Sequence, residues 1–506
     1  MDSSDWSPLT WHPQRTMDAP TPFDSSAISD TIIRTSDNIR FYVLGAFLYF
    51  VSEAFRDKLS LNRGPAADEN EKGELPVYEF SEDSEIFNIL LEFIYPRVDE
   101  PQFHNLDVFK RTCKAAQAYS MTVVEEKLKK QILTSSFIKA EPFRLYAIAI
   151  VLGWEEVALA AAREALQIPL KELVFVDELR DISGADFYGF LNYRFRSDGF
   201  GNTSKETLAF ARQPSPDKSV EDSECLTGVQ GPYVTSSNSN LILRSSDSVD
   251  FFVIEGLIRF VSPFFDGKFP MKDDEAIDGR PVIVVPERSE VLRGLLNIIY
   301  PGEDDPDMSD CGLYGDMVRA ARKLEISTAE KKLKKQGMAL AHKEPLRMYA
   351  VATRLDLVEV AKIAALNTFH QPLRDMTFVD ELNQITGADL FRLMRFRFNC
   401  ANAVCKVVRD SEAHLGFKVQ SLSHQSFNFI SSEPCSELLH KLRQRLEDCP
   451  RGETYRAICV TDITYRSGFQ DPSSCSINIS AFDAMEKYRD GLVAAIEDAV
   501  SKVCAT

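Results

Sequence analysis

The sequence lacks the long apolar run that a membrane span requires. Its longest apolar stretch, Phe41 to Val51, is shorter than the ~20 residues of a spanning helix. The N-terminus has neither the basic start nor the apolar segment of a secretory signal. We therefore expect a protein of the cytoplasm, the nucleus or both, with no membrane partner and with its ten cysteines reduced.

Motifs that carry catalysis are also missing. The sequence has no P-loop, no Gly-x-Gly-x-x-Gly after a strand, no nucleophile elbow, no His-Glu-x-x-His and no kinase signature. Its seven histidines are scattered. We predict a non-catalytic protein without catalytic residues or a cofactor. An enzyme without a recognisable motif is the alternative, and a pocket with convergent titratable groups would favour it.

The cysteine spacing does not fit a structural zinc site. Structural zinc usually takes closely paired ligands, and no Cys-x-x-Cys occurs. Seven cysteines fall after residue 399, namely Cys400, Cys405, Cys435, Cys449, Cys459, Cys475 and Cys504. We interpret them as reduced cysteines of the core and predict no metal ligand. An irregular zinc site in this region stays an open alternative.

Positive charge is scarce relative to negative charge. The net charge is −18 and the pI is about 5.0, which disfavours a nucleic acid as the partner. The run KLKKQ occurs twice and could suggest phosphate contacts. However, Glu125 lies four residues before Lys129, and Glu330 lies four residues before Lys334. This spacing favours exposed helix faces with internal ion pairs.

What the sequence does contain is a long internal repeat. Residues 33–37 (IRTSD) return at 243–247 (LRSSD), and EPFRLYAIA from Glu141 returns as EPLRMYAVA from Glu344. Between 175–195 and 378–398, 11 of 21 positions are identical. The order of the matches excludes chance, and the period is too long for a solenoid. Each copy is therefore a domain in its own right.

One copy reads as strands followed by helices. Ile39, Phe41 and Val43 alternate with polar residues after a turn, which predicts a half-buried strand of a hairpin. An apolar helical segment, a third strand and an amphipathic helix with a single buried stripe follow. Further helices complete the copy. The pattern predicts an α+β fold with a small mixed sheet, helices and a helical extension.

These patterns divide the chain into segments. The N-terminus and the segment between the copies are rich in Ser, Pro and Asp, which predicts disorder and a flexible linker. The C-terminal region has no copy elsewhere and ends in a predicted helix from Ala481 to Val503. The predicted boundaries are 1–27 (disordered), 28–134 (unit 1), 135–196 (extension 1), 197–237 (linker), 238–339 (unit 2), 340–399 (extension 2) and 400–506 (C-terminal region).

The two copies resemble the BTB/POZ domain in its fungal, basidiomycete-like form. The resemblance is carried by TIIRTSDNIRFYV and NLILRSSDSVDFFV, by FVSEAF and FVSPFF, and by ILLEFIYP and LLNIIYP. It extends over most of 28–196 and 238–398. The order and spacing of these motifs are fairly specific, and they occur twice. The run EPFRLYAIA resembles the helical extension of fungal members.

The resemblance implies a small mixed sheet capped by helical hairpins and a protein that binds other proteins. Family members commonly dimerise, and many are adaptors for cullin-type ubiquitin ligases or transcriptional regulators. We predict a scaffold in which the two units pair within the chain as a pseudo-dimer. The candidate interface residues are Phe47, Phe50, Phe260 and Phe264, since aromatic residues are favoured at interface centres.

Departures from the family pattern weaken a ligase role. Leu44-Gly45 and Ile254-Glu255 replace a common His-Lys pair, and Asp30 has Asn240 as its counterpart. Cullin adaptors often carry an apolar-x-Glu triplet, which Leu61-Asn62-Arg63 does not match. Met271-Lys272-Asp273 is a near match. If a cullin is bound, we therefore predict contact through Met271 and Asp273.

Overall fold

The computed structural model describes residues 17–61, 75–96, 101–197, 239–265, 276–277, 279–300, 306, 310–422, 433–456 and 479–505. Side chains 58–61, 276, 411–422, 433–439, 441, 479–486, 488 and 505 within these ranges are not described. The chain forms two compact units, the first from Met1 to Leu173 and the second from Val174 to Thr506. Their boundary lies inside the stretch predicted as extension 1.

The described residues of the first compact unit form four strands and the helices that follow them. The strands are β1 (Met17–Asp18), β2 (Thr31–Arg34), β3 (Ile39–Val43) and β4 (Val77–Glu79). The helices are α1 (Gly45–Val51), α2 (Glu53–Leu61), α3 (Ser84–Ile94), α4 (Leu106–Ala118), α5 (Thr122–Thr134), α6 (Phe137–Ala140), α7 (Pro142–Leu152) and α8 (Glu155–Ala165).

The sheet of the first compact unit has the strand order β1-β3-β2-β4. The hairpin β2–β3 is antiparallel with Ile33 opposite Phe41, and β4 runs parallel to β2. Ile33 and Phe41 are fully buried, and the side chains next to Phe41 along β3 are more exposed. The half-buried strand predicted from the alternation is therefore confirmed.

The predicted disorder of residues 1–27 is wrong for residues 17–27. Met17 and Asp18 pair with β3 in parallel. The Tyr42 amide donates to the Phe23 carbonyl oxygen at 2.9 Å, and the Phe23 ring packs edge-on against Tyr95. Phe23 is only 2% exposed, so its burial outweighs the polar composition around it. Residues 1–16 lie outside the described residues.

The helices after the sheet include the amphipathic helix that the sequence predicts. Helix α3 buries Ile86, Phe87, Leu90 and Leu91 along one face. Helix α7 ends at Gly153, which has a φ of 72° and a conformation that glycine adopts without steric cost. Trp154 then leads into α8 and is buried.

The second compact unit begins with the end of the first copy. Its strands are β5 (Leu241–Arg244), β6 (Asp250–Val253), β7 (Ala276–Ile277) and β8 (Arg280–Val284). Its helices are α9 (Gly184–Ser197), α10 (Glu255–Val261), α11 (Ser289–Ile299), α12 (Cys311–Lys323), α13 (Ser327–Lys343), α14 (Pro345–Arg354), α15 (Val358–Asn367), α16 (Gly387–Leu422), α17 (Glu433–Asp448), α18 (Gly452–Arg456) and α19 (Ile479–Ala505). Short 3-10 turns include Asp177–Arg180 and Asp380–Gln384.

The sheet of the second compact unit repeats the pairing of the first. Its order is β6-β5-β8-β7. Leu243 lies opposite Phe251 in the antiparallel hairpin and opposite Ile283 in the parallel pair. These positions correspond to Ile33, Phe41 and Tyr78 of the first copy. The linker predicted at 197–237 lies outside the described residues except for Ser197.

The C-terminal region adds a helical core to the second compact unit. Helices α16, α17 and α19 contribute the buried residues Cys400, Val404, Val408, Leu442, Leu446, Leu492, Ile496 and Val500. The predicted helix from Ala481 to Val503 is confirmed as α19. Within the described ranges, no helix is long and apolar enough to cross a membrane.

Candidate protein-interaction faces

Two exposed phenylalanines occupy equivalent positions on the first helix after each hairpin. Phe50 on α1 is 77% exposed, and Phe260 on α10 is 87% exposed. Two neighbouring rings are half-buried, because Phe47 packs against Tyr95 at 4.7 Å and Phe264 against Phe265 at 5.4 Å. We call Phe47 with Phe50 the α1 face. We call Phe260 on α10, with Phe264 in the 3-10 turn Pro263–Phe265 that follows, the α10 face. Each face therefore offers one open ring beside one anchored ring.

A shared pair of hydrogen bonds fixes the start of α1. The Gly45 amide donates to the Asp30 carboxylate at 2.6 Å, and the Leu44 amide donates to the Tyr95 hydroxyl at 2.8 Å. Amides at a helix start have no partner within the helix, so these acceptors satisfy them. The replacements for the family His-Lys pair, Leu44 and Gly45, thus lie where the helix is anchored.

Helix α10 is anchored at its start by the same two kinds of hydrogen bond, but one acceptor is uncharged. The Glu255 amide donates to the Asn240 side-chain oxygen at 2.8 Å, and the Ile254 amide donates to the Tyr300 hydroxyl at 3.0 Å. Asn240 supplies the same acceptor as Asp30 without its negative charge. The two faces therefore share their backbone geometry and differ in electrostatics.

The two tyrosines remain protonated anchors at neutral pH. Burial raises the pKa of Tyr95 above its usual value, and the nearby Asp30 carboxylate adds to this effect. Burial also raises the pKa of Tyr300. Both hydroxyls therefore stay uncharged and can accept from the helix amides while donating elsewhere.

The residues of the predicted cullin contact cannot be placed. Met271 and Asp273 lie outside the described residues, as does Arg63 of the comparison triplet. Leu61 ends α2, and its side chain is not described. The contact through Met271 and Asp273 therefore stays a prediction.

Of the two ion pairs predicted for the lysine-rich runs, one is present among the described residues. Lys129 contacts Glu125 at 3.4 Å, the pair predicted from the spacing. Lys334 instead contacts Glu359 at 2.5 Å, while Glu330 contacts Arg322 at 3.0 Å. The predicted pair of Lys334 with Glu330 is wrong, because the neighbouring helices offer each side chain a closer partner.

Three cysteines of the C-terminal region are thiols with little tendency to ionise. Burial raises the pKa of Cys400 to about 12 and also raises the pKa of Cys449 and Cys504. Among the described residues, no group of three His, Cys, Asp or Glu side chains could hold a metal ion. Cys435, Cys459 and Cys475 lie outside the residues whose side chains are described.

Residues 21–136 match the family model of the BTB/POZ domain. The match covers strands β2 to β4 of the first compact unit, its α1 face and the helices through α5. A search of curated proteins found no match. The first compact unit therefore contains a BTB/POZ domain, and domains of this family bind other proteins and self-associate.

The sequence reasoning missed the polar residues that hold the faces in place. Tyr95 and Tyr300 belong to the repeated IYP motif, which contributes to the family resemblance but carries no local sign of a hydrogen-bonding role. Asp37 and Asp247 belong to the repeated turn. Each accepts hydrogen bonds from the serine that begins the next long helix, at 3.0 and 2.8 Å from the serine amides. Their retention in both copies was the signal that could have revealed them.

Proposed function

We propose that the chain is a non-catalytic protein-interaction scaffold built from two BTB/POZ units, residues 28–134 and 238–339. The observation that carries this proposal is the pair of exposed rings, Phe50 and Phe260, at equivalent positions of the two copies. Leaving a phenylalanine in water forgoes roughly 1.5–3 kcal/mol of burial, so two such rings at one equivalent position favour a contact surface.

The assignment of a second unit is supported by shared geometry. Strand pairing, register and the anchoring of the following helix agree between the copies. The substitution of Asn240 for Asp30 retains the acceptor that this geometry needs. A second BTB/POZ unit explains these agreements with one fold and one duplication.

For the faces, we propose that the α1 and α10 faces bind each other within the chain as a pseudo-dimer. The test replaces Phe50 and Phe260 with glutamate, singly and together. We expect each single variant to raise deuterium uptake on the helix of the other face, because a buried carboxylate breaks the contact. Light scattering should report a monomer for the wild type.

Matched controls are Val123→Glu and Val358→Glu, which change exposed apolar residues elsewhere, 56% and 62% exposed. They should leave uptake on both helices unchanged. A wild-type dimer that Phe50→Glu converts to a monomer would assign the faces to pairing between chains. Unchanged uptake and unchanged mass in all face variants would contradict a contact role.

The alternative function is a substrate adaptor of a cullin-type ubiquitin ligase. It is favoured by the near match Met271-Lys272-Asp273 alone. Affinity capture followed by mass spectrometry should recover a cullin, and the exchange of Met271 and Asp273 for alanine should remove it. The same changes at Leu61 and Arg63 are the control. Equal effects of the two pairs would contradict an asymmetric contact.

A further inference from the structure

The second compact unit contains a contact between two copies of the same segment. The first pairing segment is 175–195 and the second is 378–398. The Gly184 amide donates to the Ile385 carbonyl oxygen at 2.8 Å, and the Gly387 amide donates to the Ile182 carbonyl oxygen at 2.8 Å. Each hydrogen bond becomes the other when 203 is added to or subtracted from the residue numbers. The contact is therefore reciprocal.

The aromatic contacts follow the same rule. Phe175 packs against Phe391 with ring centroids 5.8 Å apart, and Tyr188 packs against Phe378 at 5.6 Å. Phe175 corresponds to Phe378, and Tyr188 corresponds to Phe391. Two independent kinds of interaction thus obey one pseudo-two-fold relation.

The two glycines are required by the closeness of this contact. A Cβ on Gly184 would lie 2.9 Å from the Ile385 Cγ1 atom, and a Cβ on Gly387 would lie 2.8 Å from the Ile182 Cγ1 atom. Backbone carbonyl oxygens of the facing segment lie 2.9 and 3.1 Å from the same positions. Any side chain there would push the segments apart. The same residue type is needed on both sides because the same surface is on both sides.

The reciprocal bonds also complete both helix starts. Ser183 and Thr386 cap α9 and α16 by accepting from the Asp186 and Asp389 amides at 3.1 and 3.2 Å. The next amides, of Gly184 and its counterpart, lie in the first helical turn and have no acceptor within their own helices. The carbonyl groups of the facing segment supply it. Each segment therefore satisfies polar groups that the other would leave open.

We propose that the two pairing segments form a self-complementary contact of the homodimer type that closes within a single chain. A contact in which i meets j and j meets i is the arrangement of a two-fold homodimer. Here the partner is a second copy of the segment, supplied by the same chain. The contact acts separately from the α1 and α10 faces, so substitutions at those faces leave it intact. Duplication has placed both halves of the homodimer contact in one polypeptide.

The test uses the full chain with Ser183→Cys and Thr386→Cys. These two residues face each other in an isolated antiparallel bridge. The bonds on either side make them a non-hydrogen-bonded pair, for which Cα atoms lie ~4.5 Å apart, within the range of a disulfide. Mild oxidation should yield a linked peptide pair joining 183 to 386 in a chain of monomeric mass.

The single variants Ser183→Cys and Thr386→Cys are the controls, since each loses one of the two helix caps that the double variant loses and cannot form this link. Adding Gly184→Val to the double variant should slow linking at least about tenfold, because overpacking opens the contact. Adding Gly256→Ala should not, since a Cβ at Gly256 meets no atom within 4 Å.

Two outcomes would overturn the proposal. One is a folded double variant in which the link between 183 and 386 does not form. The other is a link found only in a fraction of dimeric mass, which would place the two halves in different chains. Deuterium exchange of the sheet peptides establishes whether each variant is folded. Combining the cysteine pair with Phe50→Glu should leave linking unchanged, which separates this contact from the proposed faces.

Discussion

The two copies hold the same backbone groups with different side chains. The Leu152 carbonyl oxygen accepts from Gln117 at 2.8 Å, and the equivalent Leu355 carbonyl oxygen accepts from Arg322 at 2.5 Å. A left-handed residue ends the helix in both copies, yet it is glycine at 153 and aspartate at 356. What the copies share is therefore the position of donors and acceptors, while charge and residue type have diverged.

One difference between the copies is a helix cap that is present in the first copy and absent at the same position in the second. Asp83 caps the start of helix α3, where its carboxylate accepts from the Ile86 amide at 3.1 Å. The corresponding residue before α11 is Arg288, which makes no such bond. The start of α11 therefore depends more on the turn aspartate, Asp247, than the start of α3 depends on Asp37.

The largest effect is expected at Phe23, whose counterpart in the second copy lies outside the described residues. Phe23→Ala removes a buried ring that contacts Phe41 and Tyr95. Such truncations cost about 3–5 kcal/mol. We expect the free energy of unfolding of the first compact unit to fall by this amount, measured by deuterium exchange of β3 peptides in increasing urea.

Val123→Ala is the matched control for that measurement. Its side chain is 56% exposed and belongs to neither proposed face, so the substitution should change the free energy of unfolding by no more than about 0.5 kcal/mol. If the two variants are equally stable, residues 17–27 do not contribute to the core. The first copy would then be reduced to the three strands that it shares with the second.

A smaller effect should separate the two turn aspartates. Loss of a capping aspartate costs about 0.5–2 kcal/mol. We expect Asp247→Ala to lie toward the upper end and Asp37→Ala toward the lower end, because Asp83 still caps α3. Deuterium exchange of α3 and α11 peptides checks the order. Equal losses would show that another group caps α11 in place of the bond that Arg288 does not make.

Acid should affect the same sites. Burial opposes ionisation, but hydrogen bonds from Ser84 and Thr35 outweigh it and lower the pKa of Asp37 below its usual value. Burial likewise opposes ionisation of Asp247, and the hydrogen bonds from Ser245 and Ser289 outweigh it and lower its pKa. An aspartate with a lowered pKa stabilises the fold at pH values above its pKa in the unfolded chain, near 3.8. This stabilisation is lost as the pH falls through the pKa of the folded state.

The strands and helices could be predicted because their signals are local. Period-two alternation identified β3, and the apolar stripe identified α3. The order of residues 17–27 could not be predicted, since one buried phenylalanine within a polar segment leaves no periodic trace. Likewise, no local rule pairs Lys334 with Glu359, which lie on different helices.

The pairing of the extensions shows a different limit. The similarity of 175–195 to 378–398 is visible in the sequence, where it establishes the repeat and is explained by maintenance of one fold in two copies. That both copies contact each other adds a second reason for identity, because a self-complementary surface constrains both sides equally. Sequence alone cannot separate these reasons. The exposure of Phe50 and Phe260 likewise required coordinates, since the same helices also carry buried apolar residues.

The smallest effect concerns His370, where the first copy has Gln167. The His370 Nδ1 atom lies 2.8 Å from the Arg451 guanidinium. Burial first, then the positive charge of Arg451, lowers the pKa of His370, with His342 adding to this effect and Glu453 opposing it. The folded state therefore binds this proton less readily than the unfolded chain does.

Stability from this site should be present above the unfolded value of 6.5 and lost as pH falls toward the folded value. We expect the midpoint of thermal unfolding of the second compact unit to fall between pH 7.5 and pH 5.5. The free-energy change should not exceed about 0.5 kcal/mol, since the ring is largely exposed. His370→Gln, which restores the residue of the first copy, should flatten this dependence, whereas His104→Gln in the first compact unit should not. If His370→Gln keeps the full pH dependence, another group carries it, and this difference between the copies has no effect on stability.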